Sequence, residues 1–96
     1  MKNQHEKQEF IMDYLQQRKN TPYCQVNVLN SHFVNEYIEK FSPKYIPMPY
    51  GAHKVPELGK ILSNMYRCHL LYRYIVGLQH MESGFPKWIY TYELRV

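Results

Sequence analysis

One stretch decides the fold: VPELGKILSNMYRCHLL, residues 55–71. Pro56 suits the first position of a helix, because its missing N–H would have no partner there. Apolar residues then recur at helical spacing, and the inward set is Leu58, Ile61, Leu62, Met65 and Cys68 or His69. The pattern predicts a helix over 56–70 with one apolar face, followed directly by a strand.

Two upstream segments have the same helical spacing. The first is predicted over 6–19, and its apolar face is Phe10, Ile11, Tyr14 and Leu15. The second is predicted over 31–41, with Asn30 or Ser31 as its N-cap. Its apolar face is Phe33, Val34, Tyr37, Ile38 and Phe41. Pro43 ends it, because the residue before a proline is pushed out of helical geometry.

Strands are indicated where the period changes to two or where β-branched and aromatic residues accumulate. Cys24, Val26 and Val28 alternate with polar residues, which predicts a strand over 23–28. Residues 71–78 and 87–94 read as a hairpin joined by a polar loop. The chain is therefore predicted to be an α+β domain with three helices, a short strand and a C-terminal hairpin.

The proline-rich segment 43–55 carries no helical or strand period. Four prolines in 43–56 and a glycine predict a stiff, extended loop. Its large apolar side chains are expected to be pinned to the core, or else to form a patch for a partner: Tyr45, Ile46, Met48 and Tyr50.

Composition restricts the class of protein. The 96 residues suffice for one domain, 1–96, and exclude a two-domain enzyme with an interdomain cleft. A hydrophobic share of 45% and an aromatic share of 16% exclude a disordered chain. No apolar run reaches the ~20 residues of a membrane span, and the N-terminus is polar. We expect a cytoplasmic protein, nucleoid-associated if bacterial or archaeal, whose net charge of +4 permits a polyanionic partner.

Catalytic and metal sites find little support in the sequence. Cys24 and Cys68 are expected to be buried, reduced thiols rather than a disulfide. The five histidines are scattered and form no ligand spacing, and no glycine-rich phosphate loop is present. We expect no enzyme, no metal and no cofactor.

The polar face of the third helix suggests a function. Lys60, Ser63, Asn64 and Arg67 share the side opposite the apolar residues, at i, i+3, i+4 and i+7. Such side chains hydrogen-bond base edges in a major groove. His53 and Lys54 precede the helix, and Gly59 could let a nucleic-acid backbone approach closely. The alternative is an ordinary solvated face, which every surface helix has.

The hairpin adds a second group of polar and basic residues. Its loop carries His80 and Ser83, Lys87 follows the loop, and Arg73 lies on the first strand. A basic hairpin beside a polar helix can hold phosphates while the helix reads bases.

The order of elements resembles the winged helix-turn-helix domain of small DNA-binding regulators. Residues 55–71 are similar to a recognition helix running into the first wing strand, and GFPKWIY, 84–90, is similar to the return of the wing. The resemblance covers nearly the whole chain. It implies a major-groove role for Lys60, Ser63, Asn64 and Arg67, and a place on the wing for His80, Ser83 and Lys87.

Two features depart from that family. Residues 43–55 replace the tight turn that usually joins the second and third helices. Pro86-Lys87-Trp88 is similar to the wing of winged helices that bind left-handed nucleic acid, although Ser63 stands where those have an aromatic residue.

The sequence therefore predicts a sequence-specific binder of double-stranded DNA, acting as a small transcriptional regulator. Lys44, Lys54, Arg73 and Lys87 would contact phosphates. We expect a homodimer, with the first helix or the C-terminal strand at the seam. The alternative is a winged-helix protein-docking module that does not bind DNA and uses Tyr45, Met48 and Tyr50.

Overall fold

A computed structural model describes residues 4–78 and 85–95, with the backbone alone at Tyr50. The three helices are α1 (Gln4–Gln17), α2 (Ser31–Phe41) and α3 (Pro56–Arg67). The strands are β1 (Gln25–Asn27), β2 (Ile46–Pro47), β3 (His53–Lys54), β4 (Leu71–Gly77) and β5 (Trp88–Leu94). The predicted α+β class, with three helices and a small antiparallel sheet, is confirmed. Among the described residues, no helix combines the length and the apolar character needed to cross a membrane.

The main sheet has three antiparallel strands in the order β1-β5-β4. β4 pairs with the whole of β5, from Leu71 opposite Leu94 to Gly77 opposite Trp88. β1 pairs with the second half of β5, with Val26 opposite Tyr92. The C-terminal strand is thus the central strand rather than the outer strand that a strand-paired dimer seam would need. The outer edge of the hairpin belongs to β4.

The apolar faces of the helices meet on one side of this sheet. Most of the predicted inward residues are buried, and the largest side chains with under 2% exposure are Tyr37, Phe33, Ile11, Leu15, Leu58, Leu62, Met65, Leu71, Val26 and Val34. Phe10 is half-buried and contacts the rings of Phe33, Tyr37 and Phe41 at centroid distances of 5.6–6.1 Å. This core fixes the polar face of α3 on the outside.

The helix ends have identifiable partners. Asn30 caps α2, because its Oδ1 accepts a hydrogen bond from the Phe33 N–H at 3.0 Å. At the other end Ser42 takes a left-handed conformation at φ 47°. α1 ends at Gln17, two residues before the predicted end. Arg18 turns back there, donating to the Tyr14 carbonyl at 3.0 Å and stacking 3.5 Å from the Tyr14 ring centroid.

α3 also ends earlier than predicted, at Arg67 instead of residue 70. His69 adopts φ 63°, a left-handed conformation that reverses the chain so that β4 can begin two residues later. The expectation that Cys68 or His69 points inward is wrong, because both are exposed and Leu70 packs on the core instead. Cys24 is half-buried, so the prediction of two buried thiols fails; both thiols are free.

The proline-rich segment is not a structureless loop. β2 and β3 form a small antiparallel hairpin, with Ile46 opposite Lys54, around a 3-10 turn at Pro49–Gly51. Tyr45 and Ile46 are not pinned to the core, contrary to expectation, because they are 47% and 54% exposed. Met48 is half-buried, and the side chain of Tyr50 lies outside the described residues. Of the described side chains in this segment, Val55 belongs to the core.

Candidate nucleic-acid interface

The polar face of α3 is solvent-accessible along the helix. We use "α3 stripe" for Lys60, Ser63, Asn64 and Arg67. Lys60, Asn64 and Arg67 are exposed, while Leu58, Leu62 and Met65 on the opposite side are buried. Twelve residues make α3 about 18 Å long, so the stripe spans roughly two turns of the helix. The neighbouring side chains can therefore meet one ligand together.

Ser63 lies at the edge of the stripe that faces the sheet. It is half-buried, and its Oγ is 3.4 Å from the hydroxyl of Tyr92, the buried tyrosine of β5. This contact between the two hydroxyls therefore joins α3 to the sheet. Ser63 marks the junction of α3 with the hairpin rather than the middle of the exposed face.

Gly59 is half-buried at the edge of the α3 stripe, where it lines a shallow depression of about 370 Å³ with the four stripe residues. A Cβ placed there would lie 3.8 Å from Cγ1 of Val28, an ordinary van der Waals distance. The backbone at Gly59 is helical and needs no positive φ. The fold therefore does not require a glycine at this position. The predicted close approach of a nucleic-acid backbone gains no support from the backbone conformation.

A carboxylate at the start of α3 is held by the other two helices. Glu57 accepts hydrogen bonds from Lys7 Nζ of α1, at 2.7 Å, and from the Tyr37 hydroxyl of α2. Burial alone would raise the pKa of the Glu57 carboxyl, but these hydrogen bonds and the ammonium charge outweigh it, so its pKa is lowered. Burial and the bond to Glu57 raise the pKa of Tyr37, which keeps it a donor. The Glu57 charge is therefore compensated within the protein.

Lysines surround the N-terminal end of α3. Lys7, Lys44 and Lys60 line an open depression of about 930 Å³ there, together with Glu6 and Glu57. Lys7 forms an ion pair with Glu57. Lys44 and Lys60 are exposed at its rim, where their ammonium groups can meet a phosphate backbone.

Arg73 links the C-terminal end of α3 to the hairpin. Its guanidinium carbon lies 4.0 Å from the ring centroid of Tyr66 in α3 and 3.9 Å from that of Tyr90 in β5. The guanidinium therefore makes a cation–π contact with one ring of α3 and one ring of β5. These two contacts join α3 to the hairpin through Arg73.

The remaining predicted site residues are dispersed. His53 is half-buried with its ring against that of Tyr45, at a centroid distance of 5.0 Å. Lys54 is exposed beside the apolar cleft described below, away from the stripe. Lys87 is exposed next to the start of β5. His80 and Ser83 lie outside the described residues.

Sequence reasoning missed the aromatic partners of this surface. Trp88 and Tyr90 lie on the same face of β5 as Tyr92, and the Trp88 and Tyr90 rings meet edge-on at 4.9 Å. Their alternation at positions 88, 90 and 92 was a usable signal, because a period of two places side chains on one face of a strand. Tyr66 carried no comparable signal, since its contact with Arg73 depends on the approach of α3 to the sheet.

An apolar cleft lies on another side of the molecule. Its volume is about 520 Å³, and its lining residues are Val28, Leu29, Ile46, Met48, Lys54, Phe85 and Pro86. It separates the small β2–β3 hairpin from the returning end of the long hairpin. In the described part of the chain, no three His, Cys, Asp or Glu side chains come together as a metal-binding group.

Comparison with known proteins found no relative of this chain. The chain matches no protein-family model, no curated protein and no solved structure.

Proposed function

We propose that the chain is a winged-helix protein that binds double-stranded DNA, with α3 in the major groove and the β4–β5 hairpin on the backbone or minor groove. The observation that carries the proposal is the exposed row Lys60, Asn64 and Arg67 on α3, together with Arg73, which contacts Tyr66 of the same helix from the hairpin. The layout of three helices and an antiparallel hairpin is compatible with a winged helix.

The chemistry of the row fits base edges. Arg67 can donate two hydrogen bonds to guanine, Asn64 can pair with adenine, and Lys60 can reach guanine or a phosphate. A helix of α3's size fits a major groove about 12 Å wide. Arg73 and Lys44 lie beside α3, and Lys87 lies on the hairpin; these three would contribute phosphate contacts, which give affinity rather than sequence selectivity.

The distribution of charge supports the same ligand. Among the described residues, carboxylates lie on α1, on α2, at the paired start of α3 and on the far face of β5: Glu6, Glu9, Asp13, Glu36, Glu39, Glu57 and Glu93. None lies on the last two turns of α3 or on the sheet face that carries Arg73. The described parts of these two surfaces therefore carry basic side chains and no carboxylate, which suits a polyanionic ligand; Glu82, in the hairpin loop, lies outside the described residues.

A role in transcription would follow from sequence selectivity. One small module makes few base contacts, so we propose a homodimer on a two-fold related site. The outer edge of β4 and the exposed side of α1 are the surfaces available for such a dimer.

The test is a fluorescence-anisotropy titration with mixed-sequence duplex DNA at low salt, repeated over a salt series. We expect affinity to fall steeply with salt, in proportion to the phosphates neutralised. Selection of tightly bound duplexes should then yield a consensus, and Asn64→Ala should relax it at one position. Asn35→Ala, on the exposed face of α2, is the matched control. Absence of binding at low salt contradicts the proposal.

Protein docking is the second candidate function, and the apolar cleft favours it. Ile46 is 54% exposed at its edge, and Tyr45 is 47% exposed nearby. Exposed apolar side chains next to a cleft are typical of protein contact sites. If the titration shows no DNA binding while Ile46→Asp abolishes a protein interaction, the docking function replaces the first.

A further inference from the structure

A row of neighbouring π-systems runs from α3 onto the hairpin. We define the "aromatic strip" as Tyr66, Arg73, Tyr90 and Trp88. The guanidinium carbon of Arg73 lies 4.0 Å from the Tyr66 ring centroid and 3.9 Å from that of Tyr90, and Trp88 meets Tyr90 edge-on at 4.9 Å. Cross-strand register places all the strand members on one sheet face, because Arg73 lies opposite Tyr92 and Trp88 opposite Gly77.

The outer end of the strip is open. Trp88 is 49% exposed. Its cross-strand neighbour is Gly77, where an added Cβ would meet no heavy atom within 4 Å. The missing side chain leaves free space beside the indole. A flat ligand can therefore lie against the indole without displacing a side chain of the described chain.

The strip also carries a positive charge. The register places no carboxylate of β4 or β5 within the described residues on this face of the sheet, since Glu93 lies opposite Tyr72 on the other face. The flat guanidinium of Arg73 makes ring contacts and also carries N–H donors that can serve a ligand. Such donors match the two oxygens of a phosphate.

Flat rings beside a phosphate-binding group match a nucleotide whose base is unstacked. In an intact duplex the faces of the bases are hidden against one another, so a duplex alone offers this strip only edges, sugars and phosphates. An apolar protein segment would satisfy the rings but would leave Arg73 without an acceptor. A second copy of the chain would bring another cationic face against this one.

We propose that the aromatic strip binds an unpaired nucleotide that adjoins the duplex held by α3. Its base would stack on Trp88, and its phosphate would bind Arg73. The protein would then prefer a duplex with a single-stranded extension over a blunt duplex. This inference rests on the proposed function, and it names the form of DNA that the same site takes.

Trp88 is the single tryptophan of the chain, so its fluorescence reports on the strip directly. The probes are a blunt duplex of about two helical turns, the same duplex with a short thymidine overhang, and the same duplex with an abasic overhang. The abasic overhang keeps the phosphates and removes the bases. It therefore separates stacking from electrostatic attraction within the wild-type protein.

We expect the thymidine overhang to bind at least about fivefold more tightly than the blunt duplex and to quench the tryptophan, because stacking one base on an aromatic ring gives gains of that order or larger. The abasic overhang should bind like the blunt duplex and cause no quenching. Trp88→Leu should remove the preference for the thymidine overhang over the blunt duplex. Tyr74→Ala is the matched control, because Tyr74 is 46% exposed on the other face of the hairpin.

Three results would overturn the inference. Equal affinity for blunt and thymidine-tailed duplexes rejects it while leaving duplex binding intact. Equal affinity for abasic and thymidine tails shows that charge alone is recognised. Self-association of the wild type that Trp88→Leu abolishes shows that the strip is a protein interface. Failure to bind any of the three probes rejects the proposed function itself.

Discussion

The ammonium group of Lys7 in α1 lies 2.7 Å from the carboxylate of Glu57 in α3. The hydroxyl of Tyr37 from α2 reaches the same carboxylate, so one side chain joins all three helices. Lys7 is 19% exposed and Glu57 35% exposed, which screens the pair less than a fully solvated one. This cluster fixes how the N-terminal end of α3, and with it Lys60, is presented to a ligand.

Replacing Glu57 with Gln should lower stability at neutral pH by roughly 1 kcal/mol, since charge-assisted hydrogen bonds to both partners weaken. The lowered pKa of Glu57 makes its contribution complete above the ordinary glutamate value of about 4.3. The contribution is then lost as pH falls through the folded-state value. Thermal unfolding of both proteins from pH 7 to pH 3 should therefore show a Tm difference that shrinks with acid.

Glu9→Gln supplies the control for this prediction. Glu9 is 63% exposed, and within the described residues it pairs with His5 across one turn of α1, so its loss should change Tm little at neutral pH. A Tm difference for Glu57→Gln that stayed constant down to pH 3 would contradict the assigned ion pair.

Substituting Gly59 with Ala should stabilise the fold by about 0.5–1 kcal/mol, because alanine loses less backbone entropy in a helix interior. The new methyl group would meet Val28 at an ordinary contact distance. Urea denaturation measures the gain. DNA affinity should stay unchanged if no nucleic-acid backbone approaches Gly59 closely. A loss of affinity would indicate such an approach.

The helices were predictable because local patterns determined them. α2 begins and ends where the sequence indicated, since Asn30, the apolar period and Pro43 all act within a few residues. The end of α3 was not predictable, because the left-handed residue is His69 rather than a glycine or asparagine. The β2–β3 hairpin was missed because two-residue strands around prolines carry no alternation.

One part of the candidate site was likewise predictable from the sequence, and another part was not. Exposure of Lys60, Asn64 and Arg67 follows from helical geometry once Leu58 and Leu62 are placed in the core. The Ser63–Tyr92 contact and the contacts of Arg73 with two rings join positions distant in sequence. Those contacts depend on the angle between α3 and the sheet, which no local pattern in one sequence specifies.

Removing the N-cap of α2 should measurably lower the stability of the protein. Asn30→Ala deletes the acceptor of the Phe33 N–H and should destabilise the protein by about 1 kcal/mol. Ser31→Ala is the control, because Ser31 is exposed and Asn30 already provides the cap. Chemical denaturation should separate the two variants, and equal midpoints would show that the cap contributes nothing.

Arg73→Lys separates the charge of Arg73 from its shape. Lysine keeps the charge but lacks the flat guanidinium that contacts the rings of Tyr66 and Tyr90, so stability should fall by about 1 kcal/mol. DNA affinity should also fall, while the slope of log affinity against log salt stays nearly constant because the charge is retained. Arg73→Ala should reduce affinity further and make that slope shallower by about one.

Arg95→Lys is the control for both Arg73 variants, since Arg95 lies over a single ring, that of Tyr72, at 5.4 Å. Its effect on stability and affinity should be small. If Arg73→Lys bound DNA like the wild type, an ammonium would serve as well as a guanidinium. The contacts of Arg73 with two tyrosines would then serve only to join α3 to the hairpin, and the phosphate contact would have to be sought at Lys87 or Lys44.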